Sequence, residues 1–173
     1  MIFGQREDFA IECYHEPISN ETGRVLGRIC VWANNIQLGN INEPACILGV
    51  LENFFSECLS ELSSLSDAAV DSLSDDDAFE FLNQAIYGND ARTLEQIKID
   101  ARRYSKFVFL TNWSEAFDGT NAFLLGSSTG FRIIFRLRND ERGSASITRS
   151  GLINAIEQFL RWMVAETPRG SIQ

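Results

Sequence analysis

The sequence predicts an α+β domain, in which an antiparallel sheet of about six strands has helices packed mainly on one face. Apolar residues alternate with period two near the N-terminus, recur every three or four residues in the middle, and alternate again before a final helical stretch. This order of strands, helices, strands and helix differs from the strict strand–helix alternation of a parallel sheet. The 173 residues, of which 45% are hydrophobic, suit one core. We therefore expect a single domain over residues 1–173.

The N-terminal quarter is predicted to be an antiparallel meander. Apolar residues alternate over 8–14 and over 25–32, which predicts two strands joined by the turn-rich segment 16–23. A short third strand is predicted at 36–38, because Asn and Gly residues bracket it.

The middle of the chain is predicted to be helical. The strongest apolar stripe covers 47–65 at three- and four-residue spacing. The Ser-rich, acidic segment 63–74 is predicted to be a loop, after which Ser74 caps a second helix that stops at Gly88. Thr93 marks the start of a third helix.

The C-terminal part is predicted to return to strands before a last helix. The continuous apolar run 107–110 is typical of a buried strand. The segment 122–137 predicts a hairpin with its turn at 126–130. Residues 139–146 are charged and contain glycine, so a linker is predicted there, followed by a helix that Ser150 caps.

The cysteines and the apolar runs indicate the compartment. Cys13, Cys30, Cys46 and Cys58 lie far apart within predicted strands or helices, which predicts reduced, packed thiols and no disulfide or zinc site. No apolar run approaches the roughly 20 residues needed to cross a bilayer, and acidic residues near the N-terminus precede any signal-peptide apolar region. We therefore expect a cytoplasmic protein without membrane contact.

The net charge of −9 bears on the choice of partner. Phosphate backbones and anionic membranes need clustered Lys and Arg, so neither nucleic acid nor a membrane is predicted as a partner. A basic macromolecule is favoured instead. Acidity that serves only solubility explains the charge equally well.

One segment, 126–130, fits the G-x-S-x-G pattern of serine hydrolases. That pattern needs a helix after the serine and a histidine later in the chain. Here an alternating, strand-like segment follows Ser128, and the single histidine, His15, comes first. A lone histidine with scattered cysteines also cannot complete a metal site, and glycine motifs of nucleotide sites are lacking. The sequence therefore predicts no catalytic, cofactor-binding or metal-binding residues and no enzyme activity.

Three arginines, Arg132, Arg136 and Arg138, alternate with the apolar residues of one predicted strand and therefore project to one face of it. They are compatible with an anion-binding patch. A solvated or acid-paired sheet face is favoured, because Asp and Glu outnumber Lys and Arg in this chain.

Acidic residues cluster around the start of the second predicted helix. Capping and the helix dipole account for part of this density, because carboxylates in a first helical turn interact favourably with the dipole. Capping could account for Asp75 to Asp77 without any partner, and a binding role is the alternative, because charge this dense exceeds what one helix cap requires. The predicted partner-binding residues are Asp71, Asp75, Asp76, Asp77 and Glu80, and Asp67 lies in the same cluster.

Several segments carry a resemblance to a known family. The residues D-F-A-I-E at 8–12 and G-R-I-C-V-W at 27–32, running on to Gly39, resemble bacterial immunity protein family 42, which is similar to the CdiI proteins of contact-dependent growth inhibition. The stretch 113–138 and the closing helix 152–162 also resemble the family's ending. The resemblance implies a protein that binds and neutralises a toxin domain, often a nuclease. It supplies no catalytic residues and no interface positions.

The leading hypothesis is therefore a cytoplasmic monomer that forms a one-to-one complex with a basic toxin domain, most often a nuclease. The alternative is an acidic secretion or effector chaperone or adaptor, which would dimerise and hold an extended segment. A small enzyme that uses Asp and Glu as acid and base would require a pocket with paired carboxylates of raised pKa.

Overall fold

The computed structural model describes residues 1–16, 25–44, 46–88, 91–111 and 113–166. The predicted turn at 16–23 lies, apart from Glu16, outside these residues.

The N-terminal strands form the first sheet, in which every pairing is antiparallel. Within the described residues its strands are β1 (Ile2–Gly4), β2 (Phe9–His15), β3 (Leu26–Ala33), β4 (Ile36–Leu38) and β5 (Cys46–Ile47). They pair in the order β1-β2-β3-β4, and β5 joins the same edge of β3 as β4. The predicted meander is confirmed as β2, β3 and β4. The sequence missed β1 and β5, which are too short to show an alternating pattern.

The second sheet is built from the C-terminal half. Its strands are β6 (Val108–Phe109), β7 (Asn121–Gly126), β8 (Gly130–Arg136) and β9 (Arg142–Thr148), which pair antiparallel in that order. The predicted hairpin is confirmed as β7 and β8. The predicted linker at 139–146 is wrong, because β9 occupies most of it.

The α+β class with antiparallel pairing is confirmed. In the described part of the chain, the strands are divided between a five-stranded and a four-stranded sheet.

The helices lie between and after the strands. They are α1 (Leu48–Glu61), α2 (Ala68–Asp71), α3 (Asp75–Tyr87), α4 (Leu94–Tyr104) and α5 (Arg149–Glu166), with single 3₁₀ turns at Leu62–Ser64, Ser105–Phe107 and Glu115–Phe117. The short helix α2 falls inside the segment that was predicted to be a loop. Within the described residues, no helix combines the length and the apolar character needed to cross a membrane.

Two of the three predicted N-caps are present in the structure. Ser74 caps α3 and Thr93 caps α4, as predicted, each through its side-chain oxygen. Ser150 does not cap α5, because the helix begins one residue earlier. Thr148 takes that role, since its Oγ1 accepts a hydrogen bond from the backbone N–H of Gly151 at 3.0 Å.

Aromatic rings form much of the buried core where the helices pack on the two sheets. Helix α5 packs against α1, β1 and β2, and Phe55 of α1 meets Phe159 of α5 edge-to-face, with ring centroids 5.4 Å apart. Helix α3 packs against β8 and β9. Phe79 of α3 meets Phe123 of β7 at 5.4 Å. The alternation of β8 therefore separates a core-facing row from a row that faces α3, and this arrangement places the acidic helix start beside the sheet arginines.

Candidate protein-binding surface

The predicted partner-binding carboxylates lie on α2 and the first two turns of α3. We call them the acidic surface: Asp71, Asp75, Asp76, Asp77 and Glu80. All are exposed except Asp75, which is half-buried.

The helix cap uses one of these carboxylates. Ser74 Oγ accepts the backbone N–H of Asp77 at 3.2 Å and donates to Asp77 Oδ2 at 2.6 Å. The predicted Ser74 cap is confirmed, and the Asp77 carboxylate holds the capping hydroxyl in place. Asp77 also lies in the first helical turn, where a negative charge interacts favourably with the helix dipole.

Two further carboxylates form ion pairs with arginines of the second sheet. Arg132 Nη1 lies 2.6 Å from Asp75 Oδ1, and Arg142 Nη2 lies 2.5 Å from Glu80 Oε1. The acid-paired interpretation of the sheet arginines is therefore confirmed for Arg132. The structure thus shows that part of the acidic density holds α3 on the sheet.

The remaining charge of the acidic surface comes from Asp71, Asp76 and Asp77. Among the described residues, no Lys or Arg pairs with these three. Asp71 accepts hydrogen bonds from Ser66 Oγ at 2.5 Å and, more weakly, from the backbone N–H of Asp67 at 3.3 Å. A negative surface therefore remains after the internal pairs are accounted for, and its contact with a partner stays a prediction.

Asp67, from the same cluster, ties two helices together. It caps α2 by accepting the Ala69 N–H at 3.0 Å, and its two oxygens accept hydrogen bonds from the Arg103 guanidinium of α4, both at 2.7 Å. The hydrogen bonds from Arg103 hold the pKa of the Asp67 carboxyl below its usual range. Asp67 therefore links α2, which carries part of the acidic surface, to α4.

A second polar cluster lies on the face of the first sheet that points away from the core. Glu12 of β2 is only 6% exposed and accepts hydrogen bonds from three side chains. They come from Arg6 Nη2 at 2.6 Å, Tyr14 Oη at 2.8 Å and Trp32 Nε1 at 2.8 Å. The Arg6 guanidinium also lies over the Trp32 ring, 4.3 Å from its centroid. This cluster was not predicted from the sequence, although Glu12 stands at an outward position of a predicted strand.

Burial alone would raise the pKa of Glu12. Hydrogen bonds from Tyr14, Trp32 and Arg6, together with the positive charge of Arg6, outweigh burial and hold the pKa below its ordinary value. The carboxylate is therefore charged at neutral pH and keeps three neighbouring side chains in fixed orientations.

Known proteins resemble this chain in sequence pattern and in fold. The sequence model of a family described as Immunity protein 42 matches residues 1–162. The chain belongs to this immunity protein family. A comparison with curated proteins gave no match.

The fold is similar to that of a solved structure, described as the crystal structure of CdiI from Burkholderia dolosa AUO158. The two chains are 17% identical, the match covers 96% of this chain and 99% of that chain, and the TM-score is 0.68. At this identity the likeness establishes a common fold.

The hydrolase-like motif of this immunity protein is a turn. The segment 126–130 connects β7 to β8, with the Ser127 N–H donating to the Gly130 carbonyl at 3.0 Å. Ser128 is therefore followed by a strand, whereas a nucleophile elbow requires a helix at that point. The single histidine, His15 of β2, is paired elsewhere: its Nδ1 lies 2.8 Å from Oε2 of Glu166 in α5.

The four cysteines are buried in β2, β3, β5 and α1, as free thiols. Burial raises the pKa of Cys13, Cys30 and Cys58 to about 12. No group of three or more His, Cys, Asp or Glu residues in the described chain could hold a metal ion. The thiols therefore serve as packing groups.

Proposed function

We propose that this chain binds the cognate toxin domain of a contact-dependent growth inhibition or related polymorphic toxin system and neutralises it. The observation that carries the proposal is the family match over residues 1–162. We place the protein in the cytoplasm, as a monomer in a one-to-one complex, where a toxin entering a sibling cell would meet it.

The proposed partner is a basic domain, and a nuclease suits this chemistry. A nuclease must hold phosphate groups in a positively charged groove. A protein of net charge −9 attracts such a groove over long range.

We place the toxin contact on the acidic surface. Asp71, Asp76 and Asp77 supply the charge that internal arginines leave unbalanced. Asp75 and Glu80, already paired with Arg132 and Arg142, hold α3 in place beneath the partner. The first three carboxylates thus attract the toxin, and the other two support α3.

Expression of the carboxy-terminal domain of the exoprotein encoded directly upstream tests this function. We expect that domain to arrest growth and co-expression of this chain to restore it, with a one-to-one complex by light scattering. Purified toxin should degrade plasmid DNA or total RNA, and added protein should stop the degradation. Continued growth arrest despite abundant, folded protein would refute the function, and a dimer holding an unfolded segment would favour a chaperone.

A further inference from the structure

A small polar pocket lies where the C-terminal half of α3 meets the second sheet. Its volume is about 190 Å³. The polar side chains around it are those of Asn83, Tyr87, Thr111, Thr120, Asn121 and Arg136. It lies at the opposite end of α3 from the cap.

Arg136 supplies the pocket with a positive charge. Its neighbours Arg132 and Arg142 each pair with a carboxylate of α3, but no carboxylate of the described residues pairs with Arg136. Arg136 is half-buried, and its guanidinium lies over the Phe79 ring, 5.6 Å from the centroid. A partly buried guanidinium without an acidic partner has hydrogen-bond donors to offer to an anion.

A hydrogen-bonded chain fixes the wall beside Arg136. Asn121 Nδ2 donates to Asn83 Oδ1 at 2.7 Å, and Thr111 Oγ1 donates to Asn121 Oδ1 at 2.9 Å. Thr111 and Asn121 are buried, with 9% and 8% of their surfaces exposed. The wall is therefore preorganised.

The pocket is also lined by Tyr87, and an unusual backbone conformation lies beside it at Leu110. Tyr87 keeps 45% of its surface exposed, and burial of the rest of the side chain raises the pKa of its hydroxyl. The backbone at Leu110, directly before Thr111, has φ of 60° although its side chain is fully buried. Non-glycine residues adopt this left-handed conformation rarely, and it concentrates at functional sites.

We infer that this pocket receives one carboxylate side chain of the bound toxin domain, with Arg136 as its ion-pair partner. This inference rests on the proposed function. A carboxylate suits the pocket better than a phosphate, because a single guanidinium faces it and the protein already carries a net charge of −9.

The position of the pocket relative to the acidic surface supports a common partner. Asp76, Glu80, Asn83 and Tyr87 follow one another at three- and four-residue spacing, so they share one flank of α3. A domain lying along this flank would meet carboxylates first and the Arg136 pocket about 16 Å further on. The partner should therefore present basic residues and, at that distance, an acidic one.

The pocket can be tested without the toxin by titrating isotope-labelled protein with sodium acetate, using sodium chloride at equal ionic strength as the reference. We expect saturable NMR shifts at the Asn121 side-chain amide and the Thr120 backbone amide. Arg136→Gln should abolish them. Arg138→Gln, which removes an exposed arginine two positions along, should leave them intact. Shifts that are absent in the parent, or unchanged in Arg136→Gln, would overturn the inference, as would tighter binding of inorganic phosphate.

Toxin affinity then tests the source of the carboxylate. Arg136→Gln should weaken toxin binding by at least about tenfold, and Arg138→Gln by less than about twofold. Arg136→Lys keeps the charge and most of the side-chain stem, so it controls for a folding defect. Its toxin affinity should lie between those of the two glutamine variants. If Arg136→Gln binds the toxin with unchanged affinity and the parent still protects cells, the inference about the pocket is refuted and the proposed function stands. If the parent fails to protect cells, the proposed function is refuted. The acetate titration then tests anion binding at the pocket independently.

Discussion

Arg132 of β8 and Asp75 of α3 form an ion pair, with Nη1 and Oδ1 2.6 Å apart. The pair joins two features that look independent in the sequence, the arginine row of one strand and the acidic start of one helix. It anchors the helix on the sheet, and it divides the acidic residues into those that support the structure and those whose charge faces outward. The two groups should respond differently to substitution.

The first prediction compares Asp76 with Asp75. Asp76→Lys should slow toxin association most strongly at low salt, because exposed charges act over roughly 10 Å at 0.1 M salt. It should also cost about 1 kcal/mol of stability, because position 76 lies in the first turn of α3, where the helix dipole favours a negative charge. Asp75→Asn should lower stability by about 0–1 kcal/mol, as expected for a partly exposed ion pair, with a smaller effect on association. Stopped-flow association at several salt concentrations and thermal melts measure both quantities.

Glu57→Lys is the matched control for Asp76→Lys, since it makes the same change in charge on the exposed side of α1. If both variants slow association equally, net charge alone steers the toxin, and the acidic surface is not the preferred contact. Association that does not depend on salt in any variant would argue against electrostatic steering altogether.

The second prediction concerns the cluster around Glu12. Glu12→Gln keeps the size of the side chain but removes the charge that Arg6, Tyr14 and Trp32 share. We expect a loss of about 1–3 kcal/mol in the free energy of unfolding, since hydrogen bonds to a charged acceptor are lost or weakened in a buried position. Urea denaturation followed by Trp fluorescence measures it. A loss no larger than that of Glu141→Gln, on an exposed turn, would contradict the prediction.

The third prediction is the pH dependence that follows from Glu12 and Asp67. The folded protein lowers the pKa of both carboxyls, so below their ordinary values the unfolded chain binds more protons than the folded one. Their stabilisation is complete above the ordinary values and is lost as pH falls through the lowered, folded values. Glu12→Gln and Asp67→Asn should each flatten the acid side of the stability profile. Profiles parallel to that of the parent would show that these groups do not govern acid unfolding.

The fourth prediction concerns thiol reactivity. The four cysteines are buried, and burial raises their pKa, so few thiolates form at neutral pH. We expect the native protein to react with a disulfide reagent only at the rate of unfolding, and all four thiols to react in denaturant. A fast-reacting thiol in the native protein would show that one of these sites opens locally.

The sequence predicted the elements whose side-chain pattern is strong. β2, β8 and α1 carry large apolar residues at regular spacing. β9 does not, because its position 143 is crowded: Gly143 pairs with Phe135, and a Cβ at position 143 would lie 2.8 Å from the Phe135 ring. Small residues are needed there, so the strand resembles a polar linker. The division into two sheets depends on pairings that single-strand patterns do not encode.

The candidate surface was predictable to a similar extent. The density of acidic residues and the Ser74 cap follow from local sequence. The pairing of Glu80 with Arg142 does not, since the two residues meet only through packing of α3 on the sheet. The same reason explains why Arg136 was not singled out from its neighbours in the strand.

The fifth prediction concerns the start of α5, where the expected cap was misplaced by two residues. Thr148 Oγ1 accepts the Gly151 N–H, and Asp8 Oδ1 accepts the Thr148 N–H at 2.7 Å while its other oxygen accepts the Thr148 hydroxyl. Thr148→Ala should therefore cost about 1 kcal/mol, the usual worth of an N-cap. Ser150→Ala, inside the first turn, should cost much less.

Position 151 tests the same contact from the other side. A Cβ there would overlap Asp8 Oδ2, so Gly151→Ala should push the Asp8 carboxylate away from Thr148 and destabilise the protein, although alanine is a better helix former than glycine. Asp8→Asn combined with Thr148→Ala should cost less than the sum of the single changes, because both remove one network. Equal losses for Thr148→Ala and Ser150→Ala would contradict the assignment of Thr148 as the cap. A stabilising Gly151→Ala would show that Asp8 has no part in the start of the helix.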